Sequence, residues 1–163
     1  MSPRAAQNAT EGVGFLLSQV GYRAASLFAE LLEPLNMTPP LAGIVRLVAR
    51  APGLSQQELA QRLNLLPSRV VGFVDDLEGR GLLTRGRNPT DRRLNALHLT
   101  PEGERLMTEL GRVAHEHDRR LTTGLTTQQR NDLRAMLAYI AKQQGLLPAV
   151  HPGYADASSG RQH

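Results

Sequence analysis

Apolar residues recur at three- and four-residue steps along most of this 163-residue chain, and the pattern predicts a mainly helical fold. Leu16, Val20, Ala24, Leu27, Leu31 and Leu35 define a long first helix with one apolar stripe, over about residues 11–35. Thr38 followed by Pro39 reads as an N-cap with proline at the first helical position, opening a second helix with Leu41, Ile44, Val45 and Val48 inward. Ala51-Pro52-Gly53 ends it. Ser55 and Glu58 form a capping box at the head of a short third helix carrying Leu59, Ala60 and Leu63. Pro67 begins a fourth helix, whose inner face is Val70, Phe73, Val74 and Leu77, and Gly79 and Gly81 close it. Two short helices joined this tightly make a helix-turn-helix.

Two stretches of strand character follow, Leu82 to Arg85 and Asn95 to Leu99, joined by a basic loop with the turn-forming pair Asn88-Pro89. A hairpin directly after a helix-turn-helix is a wing. Thr100-Pro101 caps a fifth helix with a stripe at Leu106, Leu110, Val113 and Leu121, and Thr126-x-x-Gln129 boxes a sixth with Leu133, Met136, Leu137 and Ile140. The first, fifth and sixth helices carry more apolar surface than a small winged-helix core covers, so burial against a second copy is expected. The expected fold is therefore mainly α with a small β-wing: one winged-helix domain over residues 11–147. Its helical dimerisation region is about 11–35 and 101–146, its DNA-binding lobe about 38–99, and residues 1–10 and 148–163 are expected to be disordered tails.

Charge sharpens this picture. Five arginines, 80, 85, 87, 92 and 93, stand against one acid, Asp91, while the remaining fourteen basic residues face fourteen acids. The whole surplus of +4 therefore lies in one segment, the footprint of a polyanion contact. The absence of cysteine excludes disulfides, thiolate metal sites and thiol redox sensing. The apolar stretch from Val13 to Val20 is interrupted by Gly14, Ser18 and Gln19, so neither a signal peptide nor a membrane span is predicted, and a cytoplasmic location is expected.

On the fourth helix, Ser68, Arg69, Val71 and Gly72 form the expected recognition set, in the half that enters the major groove in helix-turn-helix proteins. Arg69 has the fork needed for guanine O6 and N7. Gly72 would let the duplex approach closely. Asp75 and Asp76 would repel phosphate, so they are expected beyond the groove or paired with nearby arginines. In the wing, Arg85, Arg87 and Arg92 suit phosphates, while Asp91 can brace Arg93 for a narrow minor groove.

The run from Val70 through Asp75-Asp76-Leu77-Glu78-Gly79-Arg80-Gly81-Leu82-Leu83-Thr84-Arg85, then Asp91-Arg92-Arg93 and Leu99-Thr100-Pro101-Glu102-Gly103, resembles the MarR family of winged-helix regulators. Leu35-Asn36-Met37-Thr38-Pro39-Pro40 and Leu54-Ser55-Gln56-Gln57-Glu58-Leu59-Ala60 match the same family, so the resemblance spans roughly residues 12–146. Leu66 and Gly72 depart from the family pattern, which commonly has a Ser or Asp N-cap at the first position and a longer polar residue at the second. The resemblance implies a homodimer joined by the first, fifth and sixth helices. It also implies recognition helices in successive major grooves of a pseudo-palindromic DNA, and a wing arginine at Arg93 set by Asp91. Finally it implies a repressor released by a small aromatic or phenolic effector, for which Ser18, Gln19, Tyr22, Arg23 and Ser26 of the first helix are candidate pocket residues.

No cofactor and no catalysis are expected. His115 and His117 stand two apart on a helix, about 200° around its axis, so they cannot easily share a metal, and His117 continues an apolar stripe as a packed histidine. Two alternatives stay open: a metal-responsive regulator of the same fold that adds His98 to His115 or His117, and a helical interaction module without DNA binding.

Overall fold

The computed structural model describes residues 12–87, 95–148 and 150–151. Most of both expected tails, and the wing tip with Asn88-Pro89, lie outside the described residues. In chain order the elements are α1 (Val13–Leu32), a 3-10 turn (Glu33–Leu35), α2 (Pro39–Arg50), β1 (Leu54–Ser55), α3 (Gln56–Leu63) and α4 (Pro67–Gly79). Then come β2 (Leu83–Arg87), β3 (Asn95–Leu99), α5 (Pro101–Leu121) and α6 (Thr127–Gln143).

Local hydrogen bonds set most of these boundaries. Ser55 Oγ accepts the Glu58 N–H at 3.2 Å while a Glu58 carboxylate oxygen accepts the Ser55 N–H at 2.8 Å, completing the box that starts α3. Asn64, left-handed at φ 52°, ends that helix. Thr126 and Gln129 make the same reciprocal pair at the head of α6. Thr38 occupies the N-cap of α2 in extended conformation, but its side chain makes no capping bond, and Pro39 sets the first turn. Gly53, at φ +87°, takes the chain out of α2 into β1 with a backbone most side chains would resist.

The sheet has three strands, not the two of a simple hairpin. β2 pairs antiparallel with β3 from Leu83 opposite Leu99 to Arg87 opposite Asn95, and β1 adds to the other edge of β3 through Leu54 opposite Leu97 and Ser55 opposite Ala96. The β1 strand is too short to show a period-two pattern. β2 also runs two residues beyond the expected Arg85, because Asn95 and Ala96 offer it partners that far.

Ile44, Val45 and Val48 of α2, Leu59 of α3, Val70, Val74 and Leu77 of α4, Leu83 of β2 and Leu97 of β3 are fully buried or nearly so. Leu32 of α1 and Leu110 of α5 join this cluster, so the core sits in the helix-turn-helix lobe and the long helices are anchored to it at one end. Farther along, His117 Nε2 lies 2.7 Å from the Ala24 carbonyl oxygen and its ring meets Phe28 edge-on at 5.3 Å between centroids. His117 is thus the packed histidine the stripe predicted. The N-terminal half of α1 carries its apolar residues uncovered within one chain: Val13, Phe15, Leu16, Leu17, Val20 and Tyr22 are all exposed, and full burial is confined to Leu27 and Leu32 farther along. Met136, Leu137, Tyr139 and Ile140 of α6 are exposed as well.

Candidate nucleic-acid interface

Burying Val70, Val74 and Leu77 turns the opposite face of α4 outward. Ser68, Val71 and Gly72 are exposed there and Arg69 is half-buried. A Cβ built on Gly72 would meet nothing within 4 Å, so the helix surface at that point is a flat notch. The N-cap of α4 is Leu66, which is 68% exposed and whose side chain makes no capping bond; Pro67 carries no N–H, and the Arg69 and Val70 amides donate to the Leu66 carbonyl oxygen at 3.0 and 3.3 Å.

The acids at the other end of α4 are all engaged. Asp76 receives a bidentate pair from Arg80, Nε to Oδ1 and Nη2 to Oδ2, both at 2.9 Å. The same guanidinium donates from Nη1 to the Asn36 carbonyl oxygen at 2.5 Å, tying the end of α4 to the turn between α1 and α2. Asp75 and Glu78 both bind Arg85. The expected pairing of Asp75 and Asp76 with arginines is therefore present, and two arginines offset most of the charge of the three acids at this end.

Arg85 is placed otherwise than its position in a basic wing suggested. Its side chain is 18% exposed and turned back onto the helices: Nη2 donates to Asp75, Nη1 to Glu78, and Nε to Gln56 Oε1 at 3.3 Å. Partial burial opposes its charge, but the hydrogen bonds and charges of Asp75 and Glu78 prevail and raise its pKa above the ordinary guanidinium value. Glu78 and Gln56 are absent from the set drawn from the sequence. The available signal was Glu78 three residues after Asp75, one helical face carrying two acids beside a strand arginine. Arg87, at the end of β2, is exposed. Asp91, Arg92 and Arg93 lie outside the described residues.

The candidate effector residues of α1 lie mostly on its surface. Ser18, Gln19 and Tyr22 are exposed, Tyr22 at 79%; Arg23 pairs with Glu30 at 2.8 Å on the surface, and only Ser26 is partly covered. An open groove of about 430 Å³ runs between the 3-10 turn and α5, past Leu35, Leu82 and Leu106, and one of about 280 Å³ lies beside His98, Leu99 and Met107. Neither is lined by those five residues. Among the described residues no group of three or more His, Asp or Glu is placed to hold a metal ion, and no helix is long and apolar enough to cross a membrane.

A MarR family sequence profile matches residues 35–94, the stretch from the 3-10 turn to the wing. A putative transcriptional regulatory protein for the hcr operon of Thauera aromatica is 32% identical over 138 residues, 84% of this chain and 83% of that protein. The transcriptional repressor CouR bound to a 23-mer DNA duplex superposes with a TM-score of 0.71 at 35% identity, covering 82% of this chain and 95% of CouR. The chain belongs to the MarR family. CouR of Rhodococcus jostii has also been solved with p-coumaroyl-CoA, at 32% identity and TM-score 0.66 over 81% of this chain and 93% of that one. A MarR family protein of Mycobacterium tuberculosis in complex with salicylic acid is 28% identical with a TM-score of 0.64, covering 79% and 96%. It is a MarR family transcriptional regulator, and the profile match falls on the winged-helix lobe described above.

Proposed function

We propose that this regulator is a homodimeric, sequence-specific repressor that places its two α4 helices in successive major grooves of a pseudo-palindromic operator and is released by a small aromatic or phenolic effector. The observation that carries the reading is the division of α4. Its N-terminal half presents Ser68, Val71 and Gly72 exposed with Arg69 half-buried beside them, while its C-terminal acids are paired with Arg80 and Arg85. Exposed Ser68 in the first turn suits a phosphate through its hydroxyl and N–H, and Arg69 suits a base edge. Arg87 is an exposed cation at the end of β2, and the wing contact proposed with it is Arg92 on phosphate and Arg93, braced by Asp91, in the minor groove. Action on DNA supports a cytoplasmic location.

The exposed apolar halves of α1 and α6 support the dimer, since such faces are ordinarily covered. In that assembly a second chain would close α1 and turn Ser18, Gln19, Tyr22, Arg23 and Ser26 into walls of a cleft. The complexes of CouR with DNA and with p-coumaroyl-CoA, and of the mycobacterial relative with salicylic acid, support both a DNA partner and an aromatic effector.

The test is a gel shift against randomised duplex at several salt concentrations, followed by sequencing of the bound fraction. Recovery of a two-fold symmetric sequence, with half-site centres roughly 10 bp apart and affinity that falls log-linearly with salt, is the expected result. Protection of a single isolated half-site by one chain, or no selected sequence at all, would overturn it.

A further inference from the structure

Arg85 sits on β2 within the arginine-rich segment, two residues before the end of the strand, yet all three guanidinium nitrogens are engaged by side chains of the helix-turn-helix. Nε reaches Gln56 at the head of α3, and Nη1 and Nη2 reach Glu78 and Asp75 on α4. A Glu78 carboxylate oxygen also accepts the Arg85 backbone N–H at 3.3 Å, so that one acid holds the strand by main chain and side chain together. Isolated surface ion pairs contribute little, but a planar fork held between two carboxylates and an amide fixes direction as well as distance. The three elements that meet on this guanidinium are both helices of the helix-turn-helix and the strand that leads into the wing.

We infer that Arg85 is a positioning residue: with Asp75 and Glu78 it fixes the angle of the wing against the recognition helix, so that two acids near the DNA surface strengthen DNA binding. This rests on the DNA-binding reading above. It predicts a sign opposite to that of plain electrostatics, in which removing two negative charges from the lobe favours a polyanion. A phosphate-contacting Arg85 would also follow the plain electrostatic sign, because neutralising its partners would free it for the duplex.

The experiment measures binding by fluorescence anisotropy over a range of KCl concentrations, with a duplex that the unmodified protein selects from randomised DNA. The Asp75→Asn/Glu78→Gln double variant should bind roughly tenfold more weakly, the scale of coupling within one side-chain network, although each chain is two charges more positive. Arg85→Lys, which keeps the charge and loses the fork, should weaken binding similarly. In both, the slope of log affinity against log salt should stay that of the unmodified protein. Tighter binding by the double variant, or near-normal binding by Arg85→Lys, would overturn the inference. So would a slope lowered by about 0.9 in Arg85→Ala, the mark of one lost phosphate contact. Hydrogen exchange without DNA provides a second measurement: amides of β2 should exchange faster in the double variant while those of α5 do not change, and unchanged β2 exchange would also overturn it. If the unmodified protein selects no duplex, the DNA-binding reading fails and this role with it; if a selected duplex binds the double variant more tightly, the role alone fails.

Discussion

An alanine at position 103 would place its Cβ 2.2 Å from the carbonyl oxygen of Leu82. Gly103 lies in the first turn of α5, and Leu82 in the connection from α4 to β2. Around this contact the Thr100 N–H donates to the same Leu82 oxygen at 3.1 Å, the Thr100 hydroxyl donates to the Gly81 oxygen at 2.5 Å, and Thr100 Oγ1 accepts the Gly103 N–H at 3.1 Å. The Leu99-Thr100-Pro101-Glu102-Gly103 motif is therefore the joint between the DNA-binding lobe and the long helix that leaves it.

Because the neighbour is backbone, it cannot rotate away. Gly103→Ala should destabilise the fold by about 1–3 kcal/mol, the usual cost of overpacking, as read by urea denaturation. Gly72 is the converse, a mid-helix glycine with open space around it. Gly72→Ala should stabilise the fold by about 0.5–1 kcal/mol and weaken DNA binding, since the added methyl stands on the face offered to the groove. A Gly103→Ala protein as stable as the unmodified one would contradict this account of the joint.

Arg69→Ala and Arg93→Ala should fail differently. Loss of Arg69 is expected to relax base preference at one position of each half-site, costing about 1–3 kcal/mol per bidentate contact. Loss of Arg93 should weaken binding most where A·T-rich minor groove flanks the site. Selection from randomised duplex with each variant checks the division; equal losses on every sequence would refute it.

Leu137 and Val20 lie on exposed apolar faces of α6 and α1. Leu137→Glu should shift the protein from dimer to monomer in sedimentation equilibrium and reduce the footprint on DNA, because a buried, unpaired carboxylate is costly at an interface. Asn131→Glu, at another exposed position of α6, serves as the control. A Leu137→Glu protein that remains dimeric would place the interface elsewhere.

Glu116 shows how far surface ion pairing shifts acid behaviour. Hydrogen bonds from Arg119 and Arg120 lower its pKa from 4.5 to about 2. Because the folded value is the depressed one, its contribution to stability is present above pH 4.5 and is lost as pH falls through about 2. A carboxyl-carbon NMR titration should find the Glu116 midpoint near that lower value, and Arg119→Ala with Arg120→Ala should return it toward the ordinary range.

An effector can release DNA only through its different affinity for the DNA-competent and DNA-incompetent arrangements of the α4 helices. A compound that weakens operator binding by about 100-fold supplies roughly 2.7 kcal/mol of coupling, and reciprocity requires that operator weaken its binding by the same factor. Calorimetry of salicylate and similar aromatic acids, with and without the selected duplex, should reveal that difference. A compound bound equally well in both conditions is not the inducer.

The starts of α3 and α6 and the inner faces of α2, α3 and α4 were legible in the amino-acid order, because each depends on neighbours within one or two turns. Ser55 and Glu58, or Thr126 and Gln129, need only three-residue spacing to find each other, and Val70, Val74 and Leu77 share a face through the helical period alone. The pairing of Asp76 with Arg80 has the same local origin. The strand at Leu54 and Ser55 was not legible, since two residues have no period and become a strand only when Leu97 and Ala96 are brought alongside. The direction of Arg85 was decided by the sheet, which turns β2 so that its guanidinium meets α4 and α3 instead of solvent. The Arg80 bond to Asn36 bridges 44 positions, and the demand for glycine at 103 arises from a backbone oxygen twenty-one residues earlier in the chain. Hydrogen bonds and periodicity within a helix are set by the order of residues, whereas contacts between elements exist only once the core formed by Leu32, Ile44, Val74 and Leu97 has fixed where those elements lie.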